Sequence, residues 1–519
     1  MRAINILYIS TITFFLTMSS TEVESARILV LLGFGSKSHN HGINAVSSEL
    51  ASKGHELTVV TAYPIKDPPD RYKQIDVPIA RQYINSFNLV EHLERNMFDK
   101  ISYLWTISAT LCPDMLRMPE IRNLLKEKFD LVMVSVFFND CFIPFAHHNK
   151  APLILFSSTG LHSWVALNLG HPEPTSYVPN LFLPFSDKMS FFERMINTWM
   201  FYAVEFMRRV VLRARIEPAS KQFYGHGTPH ILDLERNVSL ILLNHHVSLN
   251  SPRPLQPNVI QVGGWHINPI VDPLSKDLKD FMDEAKDGVI YCSMGTVVKP
   301  EDFPPGMLQA MIEAFRILPQ RVIWKWNLDT MPGQPSNVKI AKFLPQQSIL
   351  AHPNLRLFVT QGGLLSTQEA AYYGVPLVGI PMLGDQELNI KQSENIGIGI
   401  GIKYDNVTKM SFLETIQRVL YTPSYSEKAQ QLKKRVRDQP QTPLERAMFW
   451  IEYVLRHEGA PHLQSPAIKL SWYQLYLLDV AAVLLAALLL ALFMLRTLFR
   501  LLFGSKSLPQ GTKNMKKRQ

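Results

Sequence analysis

Cysteine is scarce in this sequence: among 519 residues only Cys112, Cys141 and Cys292 occur. Their spacing fits neither a zinc site nor a disulfide framework, so all three read as packing residues or free thiols. Asp-x-Asp is absent, and with it any hint of a metal-bound diphosphate, so no metal and no cofactor is expected. No internal repeat or low-complexity tract occurs, which excludes solenoids and arrays. Acidic residues are missing after Asp479, a stretch that holds Arg496, Arg500, Lys506, Lys513, Lys516, Lys517 and Arg518. Seven units of the formal net charge of +9 thus sit in the tail. The remaining chain is nearly neutral, which excludes a basic nucleic-acid-binding face.

Apolar residues, by contrast, are plentiful. A content of 46% apolar against 19% charged describes a folded protein, and the length predicts two globular domains plus extra segments. Residues 1–26 carry Arg2, an apolar stretch from Ile4 to Met18, then small and polar residues ending in Ser25-Ala26, the layout of a cleaved secretory signal. A first core strand or an anchor is the alternative. From Leu475 to Leu495 only Asp479 is not apolar, and such a helix spans roughly 31 Å, enough for a hydrocarbon core. Trp472, Tyr473 and Tyr476 precede it like an interfacial belt and the basic cluster follows, predicting a cytosolic tail and lumenal domains. The sequons Asn237-Val238-Ser239 and Asn406-Val407-Thr408 are compatible with glycosylation there. Lys516 and Lys517 stand fourth and third from the end, as in a dilysine retrieval signal of the endoplasmic reticulum; a stop-transfer cluster is the plainer reading.

Between the ends, short β-branched runs alternate with amphipathic stretches, predicting α/β layers with parallel sheets. The runs are Arg27–Leu32, Leu57–Thr61, Leu131–Phe137 and Pro152–Phe156, then Gly288–Ser293, Arg321–Trp326, Leu355–Thr360 and Pro376–Ile380. A proline-punctuated connector separates the two sets. The expected domains are a signal peptide over 1–26, an acceptor domain over 27–250, a linker over 251–275 and a donor domain over 276–450. A return segment over 451–474, a transmembrane helix over 475–497 and a basic tail over 498–519 follow. Met189–Arg215, aromatic-rich and basic at its end, reads equally as a membrane-surface segment or as a helix pair covering the core.

The most informative stretch opens with Phe343-Leu344-Pro345-Gln346 and enters the strand Leu355–Thr360. Gln361-Gly362-Gly363, Ser366, Glu369, Gly374-Val375-Pro376 and Asp385-Gln386 follow. A strand running into Gly-Gly and then a helix offers unpaired N–H groups and a positive dipole end to a diphosphate. Glu369, two turns into that helix, can accept both hydroxyls of a ribose. Asp385 and Gln386 bring a carboxylate and an amide to the mouth of a cleft, suited to sugar hydroxyls. Gly397-x-Gly399-x-Gly401 imitates a dinucleotide loop, but its alternation with isoleucine suits a strand. His147-His148 has no acidic or thiol companion nearby and reads as structural.

This signature resembles that of the UDP-glycosyltransferases, and the likeness covers nearly the whole chain, including Tyr291–Thr296, Pro252-Arg253-Pro254 and Trp472-Tyr473-Gln474. It looks closest to the insect-like branch. The resemblance implies two facing Rossmann-like domains of GT-B type, an anchor in the endoplasmic reticulum, and inverting transfer from a UDP-sugar, commonly glucose in that branch, to small lipophilic acceptors. It assigns Phe343 to the uracil, with Gln346 beside it, and Ser293, Gly295 and Thr296 to the phosphates. Gln361 replaces the commoner His before Gly-Gly, bringing an amide without positive charge. His39, at the start of a helix after the first strand, takes the position of the catalytic base, with His41 a local decoy. Its acid partner is expected to be Asp140, after the Leu131–Phe137 strand, with a helix N-cap as the other reading. In many relatives the acid sits a few residues earlier, where this chain has Ser135 and Val136. Phe137, Phe138, Phe182 and Phe185 are candidate walls of an apolar acceptor pocket. The alternative to an enzyme is a non-catalytic homologue that binds nucleotide sugar or lipophile, and a homo-oligomer is possible.

Overall fold

A computed structural model describes residues 25–299, 302–304 and 306–504. Nearly all of the expected signal segment, and the lysines at 516 and 517, lie outside the described residues. The chain divides into two units, Met1–Ser465 and Pro466–Gln519.

The first unit contains two parallel sheets. One is built from β1 (Arg27–Leu32), β2 (Glu56–Thr61), β3 (Tyr72–Asp76), β4 (Leu131–Ser135), β5 (Leu153–Ser157), β6 (Leu240–Leu243) and β7 (Val259–Gln261), in the order β3-β2-β1-β4-β5-β6-β7. The other is built from β8 (Val289–Ser293), β9 (Arg321–Lys325), β10 (Val338–Ala341), β11 (Leu355–Thr360), β12 (Leu377–Gly379) and β13 (Gly399–Gly401), in the order β10-β9-β8-β11-β12-β13. β1, β4, β5 and β8 are buried almost throughout because helices cover both faces, which is why these runs are apolar without alternation. In each sheet the strand order reverses once, between β1 and β4 and between β8 and β11, and open α/β sheets place their ligands outside such reversals.

Several expectations need adjustment. The run Leu131–Phe137 stops being a strand at Ser135, because the chain turns out through Phe138, at φ +58°. The proline-rich connector contributes β7 to the first sheet. Residues 443–456, expected to end the second domain and begin the return segment, form one helix whose Ala447, Met448, Ile451 and Val454 pack into the core of the first. In return, Leu89 and Leu93 of the first half pack into the core of the second, and Tyr404 OH donates to the Leu93 carbonyl at 3.3 Å. The two lobes thus exchange elements and are not independent beads on a linker.

The cysteine reading was wrong for two of the three. Cys112, on a helix over Met97–Arg117, and Cys141, in the loop after β4, form a disulfide with Cα atoms 6.0 Å apart. The fold brings the two segments together across 29 residues, a proximity that spacing in the sequence does not encode. Cys292 is a buried free thiol on β8.

Met189–Arg215 forms a helix that covers the core on one side and leaves aromatic residues exposed on the other. A helix over Phe191–Val211 opens with a Ser190–Glu193 capping box and buries Met200, Phe201, Val204 and Arg208 against the first lobe. Its outer face leaves Phe191, Phe192, Trp199 and Phe206 more than half exposed along an open groove of about 980 Å³.

In the second unit, a helix over Leu478–Phe503 contains an 18-residue stretch of mean hydropathy 2.7, has no buried residue, and with 26 residues is long enough to cross a membrane. It begins three residues later than expected because a separate turn over Trp472–Leu475 precedes it and Leu477 takes a left-handed conformation.

Candidate active site

Two loops at the reversal of the first sheet are stitched by one amide. Asn139, after β4, accepts from Phe34 N at 2.8 Å and donates to the carbonyls of Phe34 and Phe137 at 2.9 and 2.8 Å. The loop after β1 is thereby fixed as it enters the helix Lys37–Ser52, whose N-cap is Ser36. His39 is the third residue of this helix and half-buried. Ser36 N donates to its Nδ1 at 3.1 Å, and Phe137 stands 4.7 Å away, ring centre to ring centre. Burial pushes the His39 pKa down to about 4.

Asp140 does not meet His39. Its Oδ1 accepts from Arg208 Nη2 at 2.6 Å, and the same guanidinium binds Glu235 at 2.8 Å, all three side chains being buried. Burial disfavours the Arg208 charge, yet the two carboxylates hold its pKa above the ordinary value. A fully buried guanidinium requires anionic partners, and that need claims the carboxylate expected to orient His39. Phe138 and Phe182 are core residues, at 1% and 6% exposure, so of the four aromatic candidates Phe137 is the one seen against His39.

At the reversal of the second sheet, β8 ends in Ser293 and turns at Gly295, φ +77°, where a Cβ would collide with Gln361 Nε2. β11 ends at Thr360, whose hydroxyl donates to Gln361 Oε1 at 3.2 Å. Gly362 follows at φ +85°, packed against Ile390, and Gly363 caps the helix Leu364–Tyr373. Gln361 therefore lies between the two loops expected to hold the phosphates, and Thr296 is exposed beside them. The cation that Gln361 lacks comes from elsewhere. Lys325, at the end of β9, bonds to the Gly295 carbonyl, and its pKa is lowered by burial and then by the nearby Lys37.

Glu369 is the hub of the donor side. Gln346 Nε2 reaches its Oε2 at 2.5 Å and Ser366 Oγ at 3.0 Å, Gln347 Nε2 reaches its Oε1 at 3.1 Å, and His266 Nε2 lies 3.3 Å away. Burial alone would raise the Glu369 pKa, but His266 and Gln346 together hold it below the usual range. His41 stacks edge-on near His266, at 6.1 Å, so the supposed decoy faces the donor side of the cleft. Phe343 is 80% exposed, with Lys37 Nζ of the first lobe 5.7 Å over its ring. Gln386 Oε1 accepts from the N–H groups of Met382 and Leu383, both at 2.9 Å, and Asp385 accepts from Asn389 at 2.9 Å. Burial raises the Asp385 pKa. Among the described residues no group of three or more His, Cys, Asp or Glu side chains could hold a metal.

Residues 27–513 match the family model described as "UDP-glucoronosyl and UDP-glucosyl transferase". The chain belongs to the UDP-glycosyltransferase family. It is accordingly an enzyme that transfers a sugar from a UDP-sugar to an acceptor. "UDP-glycosyltransferase UGT5" of Dactylopius coccus is 36% identical over 97% of this chain and 99% of its own. "2-hydroxyacylsphingosine 1-beta-galactosyltransferase" of Rattus norvegicus is 32% identical over 89% and 86%. "UDP-glucuronosyltransferase 2B10" of Homo sapiens is 30% identical over 87% and 89%. Among solved structures, the calicheamicin glycosyltransferase CalG4 superposes with a TM-score of 0.54, 18% identity and coverage of 83% of this chain and 99% of its own. A UDP-glucosyltransferase from Polygonum tinctorium gives 0.54, 14%, 83% and 99%. At such identities the structures establish the GT-B fold alone.

Sequence reasoning passed over Lys325, Gln347, His266 and Asn139 in this UDP-glycosyltransferase. Gln347 carried a signal, the amide pair directly after Pro345. Lys325 lay inside a run read as strand, and nothing local marked its end as a cleft position.

Proposed function

We propose that this enzyme transfers glucose from UDP-glucose, with inversion, to hydroxyl groups of small lipophilic compounds, as in detoxifying conjugation. The observation that carries this reading is that the helix bearing His39, at the reversal of the first sheet, meets the donor side at the reversal of the second through its neighbours Lys37, over Phe343, and His41, beside His266. In this reading Phe343 and Gln346 take the uracil and Glu369 the ribose. Ser293, Gly295, Thr296, Gln361, Gly362, Gly363 and Ser366 surround the diphosphate, with Lys325 adding charge. Asp385 and the unused amide nitrogen of Gln386 hold the sugar. His39 meets the acceptor oxygen as it attacks the anomeric carbon, and amides at the helix start favour the charge left on UDP. Glucose as donor is supported by "UDP-glucosyltransferase 2" of Dactylopius coccus, 36% identical over 89% of this chain.

The reading places the enzyme in the endoplasmic reticulum membrane, with the lobes lumenal and the tail cytosolic. The disulfide suits an oxidising compartment, and Asn237 and Asn406 are both exposed, as acceptors of glycans must be. The test is donor competition in microsomes expressing the chain. UDP-glucose is expected to outcompete UDP-glucuronate and UDP-galactose, and His39→Ala to lower transfer by at least about a hundredfold. Preference for another donor sinks the glucose assignment. Undiminished transfer by the variant sinks the role of His39.

A further inference from the structure

The surroundings of His39 bear on which hydroxyl groups this enzyme can use. A backbone N–H can only donate, so the bond from Ser36 N to Nδ1 makes Nδ1 an acceptor. The neutral imidazole then carries its proton on Nε2, which makes no hydrogen bond among the described residues. That nitrogen is the one left to face an acceptor, and in this tautomer it already carries a proton and has no lone pair to take another. To work as a base, His39 must shift its proton to Nδ1 and give up the Ser36 bond, leaving a backbone donor unmet.

A carboxylate on Nδ1 would reverse this by holding the opposite tautomer, as the acid of a His–acid pair does. None is present. The groups seen about His39 are Ser36 at the helix start, Phe137 from the loop after β4, Ser158, whose hydroxyl donates to the His39 carbonyl, and His162 from the stretch after β5. Lys37, beside it on the same helix, is directed to Phe343. Asp140 is held by Arg208, and Ser135, where many relatives place the acid, spends its hydroxyl accepting from Phe137 N at 3.3 Å. Burial depresses the basicity of His39 further, in the same direction.

We propose that the acceptors of this enzyme are restricted to hydroxyl groups that give up a proton readily, namely phenols, enols and carboxylic acids, and that aliphatic alcohols are poor substrates. The inference rests on the assignment of His39 to the acceptor. With an ionised acceptor the proton has already gone to solvent, and His39 Nε2–H donates a hydrogen bond that orients the oxyanion. The oxygen then forms its bond to the anomeric carbon while the bond from that carbon to the diphosphate breaks, both electrons leaving with UDP. Alcohols would need a stronger base than this imidazole.

The test uses the full chain in microsomes with UDP-glucose and acceptors matched in size: 4-nitrophenol, phenol and benzyl alcohol. The expected result is kcat/KM for the phenols at least about a hundredfold above benzyl alcohol, equivalent to about 2.7 kcal/mol. For phenol, kcat/KM should climb about tenfold per pH unit until near its own ionisation at about pH 10, whereas for 4-nitrophenol it should level off near pH 7. Benzyl alcohol within tenfold of phenol, or one inflection shared by both phenols, overturns the proposal. Ser135→Asp separates this outcome from a failure of the His39 assignment. If it folds, it should raise benzyl alcohol turnover selectively. Should His39→Ala retain full activity on every acceptor, it is the assignment of His39 that falls, and the proposal with it.

Discussion

The two lobes share one sheet plan yet spend their buried polar groups differently. In the second lobe the buried carboxylate Glu369 meets amides and an imidazole that line the cleft, so its polarity serves the donor. In the first lobe the buried charges Arg208, Asp140 and Glu235 satisfy each other, and the cleft receives a bare imidazole. A carboxylate at the expected edge of the sheet can therefore be claimed by the core, and the second lobe departs less from expectation than the first.

The largest test of this contrast is Arg208→Met, which strands two carboxylates and should lower unfolding free energy by about 3–5 kcal/mol. Lys325→Met in the second lobe should shift stability by less than about 1 kcal/mol, since its amine lies at the cleft, but raise KM for the donor; denaturant unfolding and initial rates separate the two. Next comes the disulfide. Cys112→Ser with Cys141→Ser should remove about 3 kcal/mol, against about 1 kcal/mol for Cys292→Ala, read as shifts in Tm.

Acid should also act on the first lobe first. His92 and His171 have pKa values pushed down to about 4 and His162 to about 3, mainly by burial. Such groups take up protons more readily when unfolded. Their contribution is intact above the unfolded value of about 6.5 and declines as pH falls towards the folded value. For the fully buried His162 the loss between pH 7 and 5 is about 2 kcal/mol. Limited proteolysis at pH 5 should cut residues 27–250 before 276–440, and the reverse order would erase the comparison. The smallest expected effect is Glu369→Gln, which should weaken UDP binding about tenfold, or about 1.4 kcal/mol, with stability nearly kept; calorimetric titration measures it.

Most of the strands were legible because parallel strands buried on both faces must be continuous apolar runs, as Arg27–Leu32 and Leu355–Thr360 show. β3, β7 and β10 escaped because edge strands are short or, like Tyr72–Asp76, mix polar residues into their pattern, while β6, Leu240–Leu243, fits the apolar rule and was passed over as a run of only four residues. The donor motif was legible for a related reason: Gly362, Gly363 and Glu369 sit within one strand–turn–helix unit, so local order carries the geometry. The Asp140 assignment failed because its competitor, Arg208, is 68 residues away and reaches it only through tertiary packing. Cys112 and Cys141 escaped for the same reason, and so did the exchange of helices between lobes.

The contact between Lys37 and Phe343 has a kinetic side. At exposed sites an ammonium over an aromatic face is worth about 0.5–1 kcal/mol, a factor of only a few in population. A nucleobase stacking on that face of Phe343 would have to evict the ammonium, which would return as the spent nucleotide departs. The resting enzyme thus supplies its own weak competitor, one that slows arrival a little and hastens departure by a similar amount.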